Sequence, residues 1–455
     1  MPVTRLPFAL LLLVALAGCG AKNDPPAPAP ISDPKPEAVK PGPLVVVPPK
    51  DKVVVAPVPT PVPVAPADRA KLDALEKAGA GVHEAQDGGY VVRVEPTTDL
   101  AAALAHLKAL MCVAELTFEN EKLTDDDLKC LDGFDALASL GFQNCPRVTG
   151  AGFGVLAKLP RLKVLSCVGP VTDAACPHIG RIKSLEEVTF AATKVTDAGL
   201  KELAALPVLR AVNLTATPAA GSAFAAPGWG QLRDISAPHT AFDDAGLEAV
   251  AKLPALEVLN VEGTKVTDAG ASHLARANKL NDLNLAGTKV TDAGVAALAG
   301  LSALRVLDLV QTRVTGSAFA KFPQPSALRK LNLNGTPFAD ANGPHLARFT
   351  ALTNLSLADC PVTDAGLTAL ADLKQLKNLD LSGTKAGGGA AKVTAALPRL
   401  EIASFDRTLL TDAGLKDAAR GAGLKFLYAR DTKVTKQGAG EAAKFARDGV
   451  KIVAE

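Results

Sequence analysis

Apolar residues recur at a nearly fixed interval along most of this chain. From Leu256 to Ala327 three consecutive lines of 24 residues each open with L-x-x-L-x-(L/V), pass a Gly- or Gln-Thr-Lys/Arg corner and continue into an amphipathic segment. Such a period indicates stacked units that share one core. The leading apolar residue begins fourteen units, 23 to 25 residues apart: Val113, Leu137, Leu162, Leu185, Leu209, Leu232, Leu256, Leu280, Leu304, Leu328, Leu352, Leu376, Leu400 and Leu424. We number the units 1 to 14 in this order.

Each unit is predicted to contain one strand and one helix. In unit 8, leucines alternate with polar residues after Leu280, which indicates a short strand with one buried face. Val290 returns to the core, and either Thr291 or Asp292 is expected to cap the helix that follows. An aspartate in the first turn also suits the positive end of the helix dipole.

The recurring V-T-D-A-G-L-x-x-L pattern resembles the bacterial and F-box-associated leucine-rich repeats with 24-residue units. Cys145 and Cys360 replace the corner Thr, as in the cysteine-containing variety of these repeats. The resemblance covers about 340 residues. It implies an α/β leucine-rich repeat solenoid, with a parallel β-sheet on the concave side and helices on the convex side. It does not identify a function, because this fold serves many partners.

The N-terminal region lacks the repeat. Residues 1–18 are predicted to be a signal peptide, because one basic residue precedes an apolar run too short to span a membrane. The run ends in Leu-Ala-Gly-Cys, which resembles the lipobox of bacterial lipoproteins and implies lipidation of Cys19. An ordinary secretory signal is the alternative. We therefore expect an exported, lipid-anchored protein of the cell envelope, and the glycine after Cys19 favours the outer membrane.

Three further segments complete the predicted organisation. Residues 19–67 carry fifteen prolines and are expected to form an extended tether after the lipidated cysteine. Residues 68–112 are predicted to be an N-terminal cap, since helical stripes flank a hairpin signal around the glycines 88–89. Residues 113–455 form the solenoid of about fourteen units, with a closing strand near Val450.

Three units depart from the pattern within residues 217–231, 315–325 and 386–397. The first segment has two prolines, and the other two lack the aspartate at the helix start, so we expect the helices of all three units to be weak or replaced by loops. The only tryptophan, Trp229, lies in the first of these segments and is interpreted as a gap-filler beneath a broken helix, with a ligand contact as the alternative.

No catalytic motif stands out. A Walker-type phosphate loop, an HExxH helix, a nucleophile elbow and a CxxC pair are all missing from the sequence. We therefore expect no enzymatic activity, no cofactor and no metal site. A formal charge of +2 argues against a nucleic-acid partner. Seven cysteines in 455 residues is not the density of a disulfide scaffold, and Cys112–Cys130 is left open as a pair.

The predicted concave face is acidic, although the chain is nearly neutral. Lys330 and Arg430 are its only basic residues. We interpret Glu262, Asp282 and Asp308 as a docking patch for a basic partner, with mutual neutralisation between columns as the alternative. The acids of this face are Glu115, Glu119, Glu187, Asp234, Glu262, Asp282, Asp308, Asp380 and Asp406.

Aromatic residues and arginine dominate binding hot spots, and on this face they come together only in unit 14. Phe426, Tyr428 and Arg430 are therefore a second candidate partner-binding set. Participation in the C-terminal closure of the solenoid is an equal alternative.

Two basic rows flank the predicted sheet. The first, here called the edge cations, consists of Lys163, Arg210, Arg233, Arg305, Arg329, Lys377 and Lys425, partly offset by three glutamates. The second, here called the corner cations, follows the corner position and consists of Lys122, Arg147, Lys194, Lys265, Lys289, Arg313, Lys385 and Lys433. The corner row is interpreted either as a solvated face or as a contact for an anionic envelope polymer.

These features favour a non-catalytic protein-interaction module, anchored in the bacterial cell envelope by an N-terminal lipid. The expected partners are an unidentified protein and the membrane that holds the lipid. The alternative is an envelope lipoprotein that binds a polysaccharide or another anionic polymer such as a cell-wall polymer. The scarcity of exposed aromatic residues argues against sugar binding.

Overall fold

The computed structural model describes residues 66–454, apart from 86–88, 109, 111 and 324–325. The signal peptide, Cys19 and nearly all of the tether lie outside the described residues. Within them, no helix combines the length and the apolar character that crossing a membrane requires.

One sheet runs through the described part of the chain. Its strands are β1 (Gly81–Glu84), β2 (Tyr90–Val94), β3 (Val113–Glu119), β4 (Ser139–Gln143), β5 (Val164–Val168), β6 (Glu187–Ala191), β7 (Ala211–Asn213), β8 (Asp234–Ser236), β9 (Val258–Asn260), β10 (Asp282–Asn284), β11 (Val306–Asp308), β12 (Lys330–Asn332), β13 (Asn354–Ser356), β14 (Asn378–Asp380), β15 (Ile402–Ser404), β16 (Phe426–Tyr428) and β17 (Lys451–Val453). Strands β1 and β2 form the expected antiparallel hairpin. From β2 to β17 every strand pairs in parallel with the next one along the chain.

Short helices follow the strands. The α-helices are α1 (Pro66–Lys77), α2 (Leu100–Leu107), α3 (Cys176–Ile179), α4 (Asp197–Leu200), α5 (Asp244–Val250), α6 (Asp268–His273), α7 (Asp292–Ala297), α8 (Gly343–Leu346), α9 (Asp364–Leu367), α10 (Gly388–Ala395), α11 (Asp412–Ala418) and α12 (Lys436–Ala443). Turns of 3-10 helix cover Asp127–Leu131, Ala151–Lys158, Asp173–Ala175, Lys201–Leu203, Ser222–Ala225, Leu274–Arg276, Leu298–Gly300, Ser317–Lys321, Asp340–Asn342 and Thr368–Asp372.

The core lies between the sheet and the helices and continues from unit to unit. The middle leucine of each regular strand, such as Leu283 or Leu307, is fully buried, as are the leucines at the helix ends. Phenylalanines supplement the aliphatic side chains, and Phe118, Phe142 and Phe153 stack in sequence with ring centroids 5.9 and 5.3 Å apart. Because each unit buries its apolar face only against its neighbours, the stack stabilises every unit jointly.

The corner after each strand has a defined conformation. Gly263 and Gly287 have φ values of +65° and +63°, and His239 and Gln311 take the same left-handed conformation in their own units. The buried threonine that follows donates its hydroxyl to the carbonyl three residues earlier, as Thr264 does at 2.6 Å. This bond satisfies a carbonyl inside the turn and aims the next residue, a corner cation in many units, at solvent.

A row of aspartates links consecutive units at the helix starts. Asp268 of unit 7 accepts bonds from the Thr291 N–H at 2.7 Å, the Thr291 hydroxyl at 2.6 Å and the Gly294 N–H at 2.9 Å, all in unit 8. We call these residues the bridging aspartates, and they are Asp125, Asp173, Asp197, Asp244, Asp268, Asp292, Asp340, Asp364 and Asp412.

The bridging aspartates resolve the two capping alternatives. Thr291 caps its own helix, because its hydroxyl accepts the Ala293 N–H at 3.2 Å. Asp292 lies in the first turn of that helix, but its carboxylate reaches forward to Thr315 in the next unit. The glycine of the V-T-D-A-G pattern leaves room for the bridging aspartate of the preceding unit, because a Cβ on Gly294 would lie 2.5 Å from an oxygen of Asp268.

The three irregular units differ from one another. Ser222–Ala225 and Ser317–Lys321 are 3-10 turns, which confirms the expectation of weak helices there. The expectation for residues 386–397 is wrong, because Gly388–Ala395 is one of the longer α-helices. Asp364 of the preceding unit accepts the N–H groups of Gly387, Gly389 and Ala390 at 2.7 to 2.9 Å, so this helix start is capped from outside its own unit.

Trp229 fills space in the core, as expected. Its side chain is 4% exposed, its ring centroid lies 5.1 Å from that of Phe224, and its indole N–H donates to the Ala223 carbonyl at 3.1 Å. The six cysteines of the described residues are free thiols, so Cys112 and Cys130 are not bonded to each other here.

Candidate functional site

The outward side chains of the sheet form three columns on the concave face. Parallel register places Asp282 beside Val258 and Val306, and Asn284 beside Asn260 and Asp308. The third column begins just after each strand and contains Glu262. The candidate acids therefore lie in three different columns: Glu262 in the third column of unit 7, Asp282 in the first of unit 8 and Asp308 in the second of unit 9.

Asp308 is the centre of this acidic patch. Its carboxylate is half-buried and accepts the Val310 N–H at 3.0 Å and the Asn332 amide at 3.1 Å. Burial raises the pKa of Asp308, the two hydrogen bonds lower it in part, and the charges of Glu262 and Asp282 raise it further. The structure thus places Glu262 and Asp282 where the charge of each acts on Asp308.

Glu262 and Asp308 have few compensating groups. Glu262 accepts the Asn284 amide at 3.2 Å. Neither Glu262 nor Asp308 forms an ion pair with a residue that the structure describes. The valines beside them, Val306 and Val310, are half-buried, so the patch offers apolar surface as well as charge.

The second candidate set lies on the last strands. The rings of Phe426 and Tyr428 are half-buried and stack with centroids 6.3 Å apart and planes 8° apart. The Lys451 ammonium lies 5.9 Å from the Phe426 ring, and the Arg430 guanidinium lies 5.7 Å from the Tyr428 ring. Because Lys451 belongs to β17, these rings contact the C-terminal closure while keeping part of their surface in solvent.

The charge of Arg430 is paired with a carboxylate of the same chain. Its guanidinium donates twice to Asp406 in the preceding unit, at 2.9 and 2.6 Å, and its backbone N–H donates to the other oxygen at 2.8 Å. The sequence pattern missed this pair. The signal was present, since Asp406 precedes Arg430 by one repeat length of 24 residues.

The two basic rows have different surroundings. Among the edge cations, Arg233 pairs with Glu257 at 3.0 Å, and Lys377 and Lys425 share Glu401 at 3.8 and 2.5 Å. Arg210 and Lys163 both pair with Glu186. Arg305 and Arg329 instead donate to backbone carbonyls.

Metal-binding geometry is not found in the part of the chain that the structure describes: no group of three or more His, Cys, Asp or Glu side chains is placed to hold an ion. Burial raises the pKa of the thiol groups of Cys130 and Cys176 to about 12. These cysteines therefore behave as small core residues rather than as nucleophiles.

Known proteins are similar to this chain in fold. A leucine-rich repeat family model matches residues 276–299 and 350–371. A leucine-rich repeat protein of Leptospira interrogans has a TM-score of 0.58 at 17% identity, covering 78% of this chain and 98% of that one. An internalin of Listeria monocytogenes has a TM-score of 0.51 at 20% identity, covering 65% of this chain and 86% of that one. No curated protein matches the sequence.

These similarities, together with the parallel sheet, confirm the predicted α/β leucine-rich repeat solenoid. They bear on the fold alone, because the sequence identities are low.

Proposed function

We propose that this protein is a non-catalytic protein-interaction module whose concave face binds a partner with a basic surface. The observation that carries the proposal is the half-buried Asp308 carboxylate, which Glu262 and Asp282 repel. A lysine or arginine of a partner would relieve that repulsion. Such charge complementarity directs association and selects the partner.

The aromatic pair supplies a second contact for the same partner. Phe426 and Tyr428 offer apolar area at low conformational cost, as binding hot spots commonly do. Units 9 and 14 are five strands apart, which is roughly 24 Å at the usual strand spacing. A folded domain of ordinary size spans that distance.

We further propose that the protein is exported and held at the cell envelope by lipid on Cys19, with residues 19–67 as the tether. The lipobox-like sequence and the proline content support this proposal. Cys19→Ser is expected to abolish labelling by a palmitate analogue and to release the protein from membranes. Retained labelling and membrane association would exclude this anchor.

In-cell crosslinking with mass spectrometry tests the interaction. The wild type is compared with the combined variant Glu262→Lys, Asp282→Lys and Asp308→Lys. The matched control is Glu121→Lys, Glu202→Lys and Asp372→Lys, which makes the same charge change at exposed positions away from the patch.

A protein partner that is lost from the first variant and kept by the control supports the concave-face proposal, provided both fold. An unchanged crosslinking profile in the first variant contradicts it. Phe426→Ala with Tyr428→Ala then measures the second contact, and we expect the same partner to be captured less.

A further inference from the structure

Three corner cations lie in the consecutive units 7, 8 and 9: Lys265, Lys289 and Arg313. Each is exposed, and each donates its backbone N–H to a carbonyl of the preceding unit, as Lys289 does to Val266 at 3.0 Å. This backbone ladder holds the three residues at the strand spacing of about 4.8 Å. The result is a row of three positive charges on consecutive units.

None of these three side chains forms an ion pair or hydrogen bond with any residue that the structure describes. The edge cations of the same sheet differ, since glutamates or backbone carbonyls bind all seven of them. Both rows have the same repeat spacing. Periodicity alone therefore does not explain why one row is neutralised and the other is not.

The acids closest in sequence keep their charge but do not pair with these cations. Asp268 and Asp292 lie three residues after Lys265 and Lys289, but their oxygens accept N–H and O–H groups of the following unit. Glu262 lies on the other side of the corner and accepts the Asn284 amide. The exposed residues that border the line are neutral and small, or amides: Gly263, Gly287, Gln311, Ala269, Ala293 and Ser317.

We propose that Lys265, Lys289 and Arg313 bind a linear, non-peptide polyanion, with phosphate or carboxylate groups, that lies along the stack. A row of closely spaced cations with no aromatic or large apolar neighbour suits a polymer that carries a charge at every repeat. A folded protein is less suited, because protein hot spots need apolar anchors. Phosphate and carboxylate groups both fit lysine and arginine. None of the three cations belongs to the concave patch, so different variants test the two proposals and one can fail without the other.

The test uses the full chain and three fluorescent probes of equal charge: polyphosphate, alginate and polyglutamate. The test variant combines Lys265→Gln, Lys289→Gln and Arg313→Gln. The matched control combines Arg233→Gln, Lys377→Gln and Lys425→Gln, which removes the same charge from the paired edge row. Circular dichroism and thermal unfolding verify that each variant is folded.

We expect the test variant to bind polyphosphate or alginate about a hundredfold more weakly than the wild type, given the usual contribution of a basic residue near an anionic surface. The slope of log affinity against log salt should fall by about 2 for three cations. The control should keep the wild-type affinity within about threefold. Whether polyphosphate or alginate binds more tightly identifies phosphate or carboxylate as the preferred group.

Three outcomes would overturn the proposal: no binding of either polymer, equal losses in the two variants, or tighter binding of polyglutamate than of both polymers. The second outcome would assign binding to net charge, and the third would assign the surface to an acidic protein segment.

Discussion

The bridging aspartates and the acids of the concave face belong to the same repeats, but their surroundings are opposite. Asp292 accepts four hydrogen bonds from the next unit, from Thr315, Gly316 and Ala318. Burial alone would raise the pKa of Asp292, but these bonds lower it below the ordinary value. Asp308 accepts only two bonds and has two like charges nearby, and its pKa is raised.

The difference separates a carboxylate that stabilises the stack from one that does not. The ionised form of Asp292 is favoured in the folded protein, whereas the ionised form of Asp308 is disfavoured. Stabilisation of the stack therefore does not account for a charge on Asp308, which agrees with its proposed role in binding a partner. The following substitutions test this contrast, beginning with the largest expected effect.

Asp292→Ala should destabilise the protein most. The substitution leaves three N–H groups and one hydroxyl of unit 9 without their acceptor, which costs about 2–4 kcal/mol. Urea unfolding followed by far-UV circular dichroism measures the loss. The control is Asp372→Ala, an exposed carboxylate whose side chain bonds no residue in the described ranges. Equal losses in the two variants would refute the structural role of the bridging row.

Gly294→Ala should have the next largest effect. The added Cβ would lie 2.5 Å from an oxygen of Asp268 and 3.0 Å from Val290. Crowding of this kind costs about 1–3 kcal/mol. Gly300→Ala is the matched control, because a Cβ there meets nothing within 4 Å, and it should be neutral or slightly stabilising. Thermal unfolding compares the two variants. A Gly294→Ala protein as stable as the wild type would show that the contact with Asp268 can accommodate a methyl group.

Acid should remove the contribution of the bridging row. The pKa values of Asp125, Asp292 and Asp340 are lowered because hydrogen bonds outweigh burial. Their stabilisation is therefore present above the unfolded-state pKa of about 3.9 and is lost as pH falls through the lower folded-state value. We expect the gap in unfolding free energy between wild type and Asp292→Asn to shrink below about pH 4. A gap that stays constant to pH 2 would contradict this linkage.

Asp308→Asn should have the smallest effect, with the opposite sign. A raised folded-state pKa favours the protonated acid, so its stabilisation is present below about pH 3.9 and is lost as pH rises through the raised value. At pH 7 we expect the variant to match the wild type or exceed it by up to about 0.5 kcal/mol. Urea midpoints at pH 7 and pH 4 measure the change. A clear loss of stability at pH 7 would place Asp308 among the structural acids.

Much of the fold was predictable because its pattern is local and repeated. A strand, a corner and a helix follow from the spacing of leucines, threonines and glycines within one unit. The contacts between units were not predictable in this way. Asp292 was considered only as a cap or first-turn residue of its own helix, and the helix within residues 386–397 was expected to be weak. Both expectations used capping rules that consider only neighbours along the chain. The carboxylates that accept hydrogen bonds from these helix starts lie about one repeat length earlier, in the preceding unit.

The candidate site shows the same limit. The acidic face was visible in the sequence, and the structure places Glu262 and Asp282 within electrostatic reach of Asp308. The pairing of Arg430 with Asp406, and the contrast between the edge and corner rows, required side-chain geometry. Charge counts alone do not separate a neutralised row from an open one.

The forward reach of the bridging aspartates has a consequence for how such a chain can grow. A regular unit both receives a carboxylate from its predecessor and supplies one to its successor, so a tandem duplication of any regular unit inserts a compatible copy. Unit 14 receives such a bond at Thr435, at 2.7 Å from Asp412. It carries Lys436 at the position of the bridging aspartate, and β17 follows it in place of another repeat. Unit 14 therefore receives a carboxylate from its predecessor but has no aspartate at this position to supply to the strand that follows.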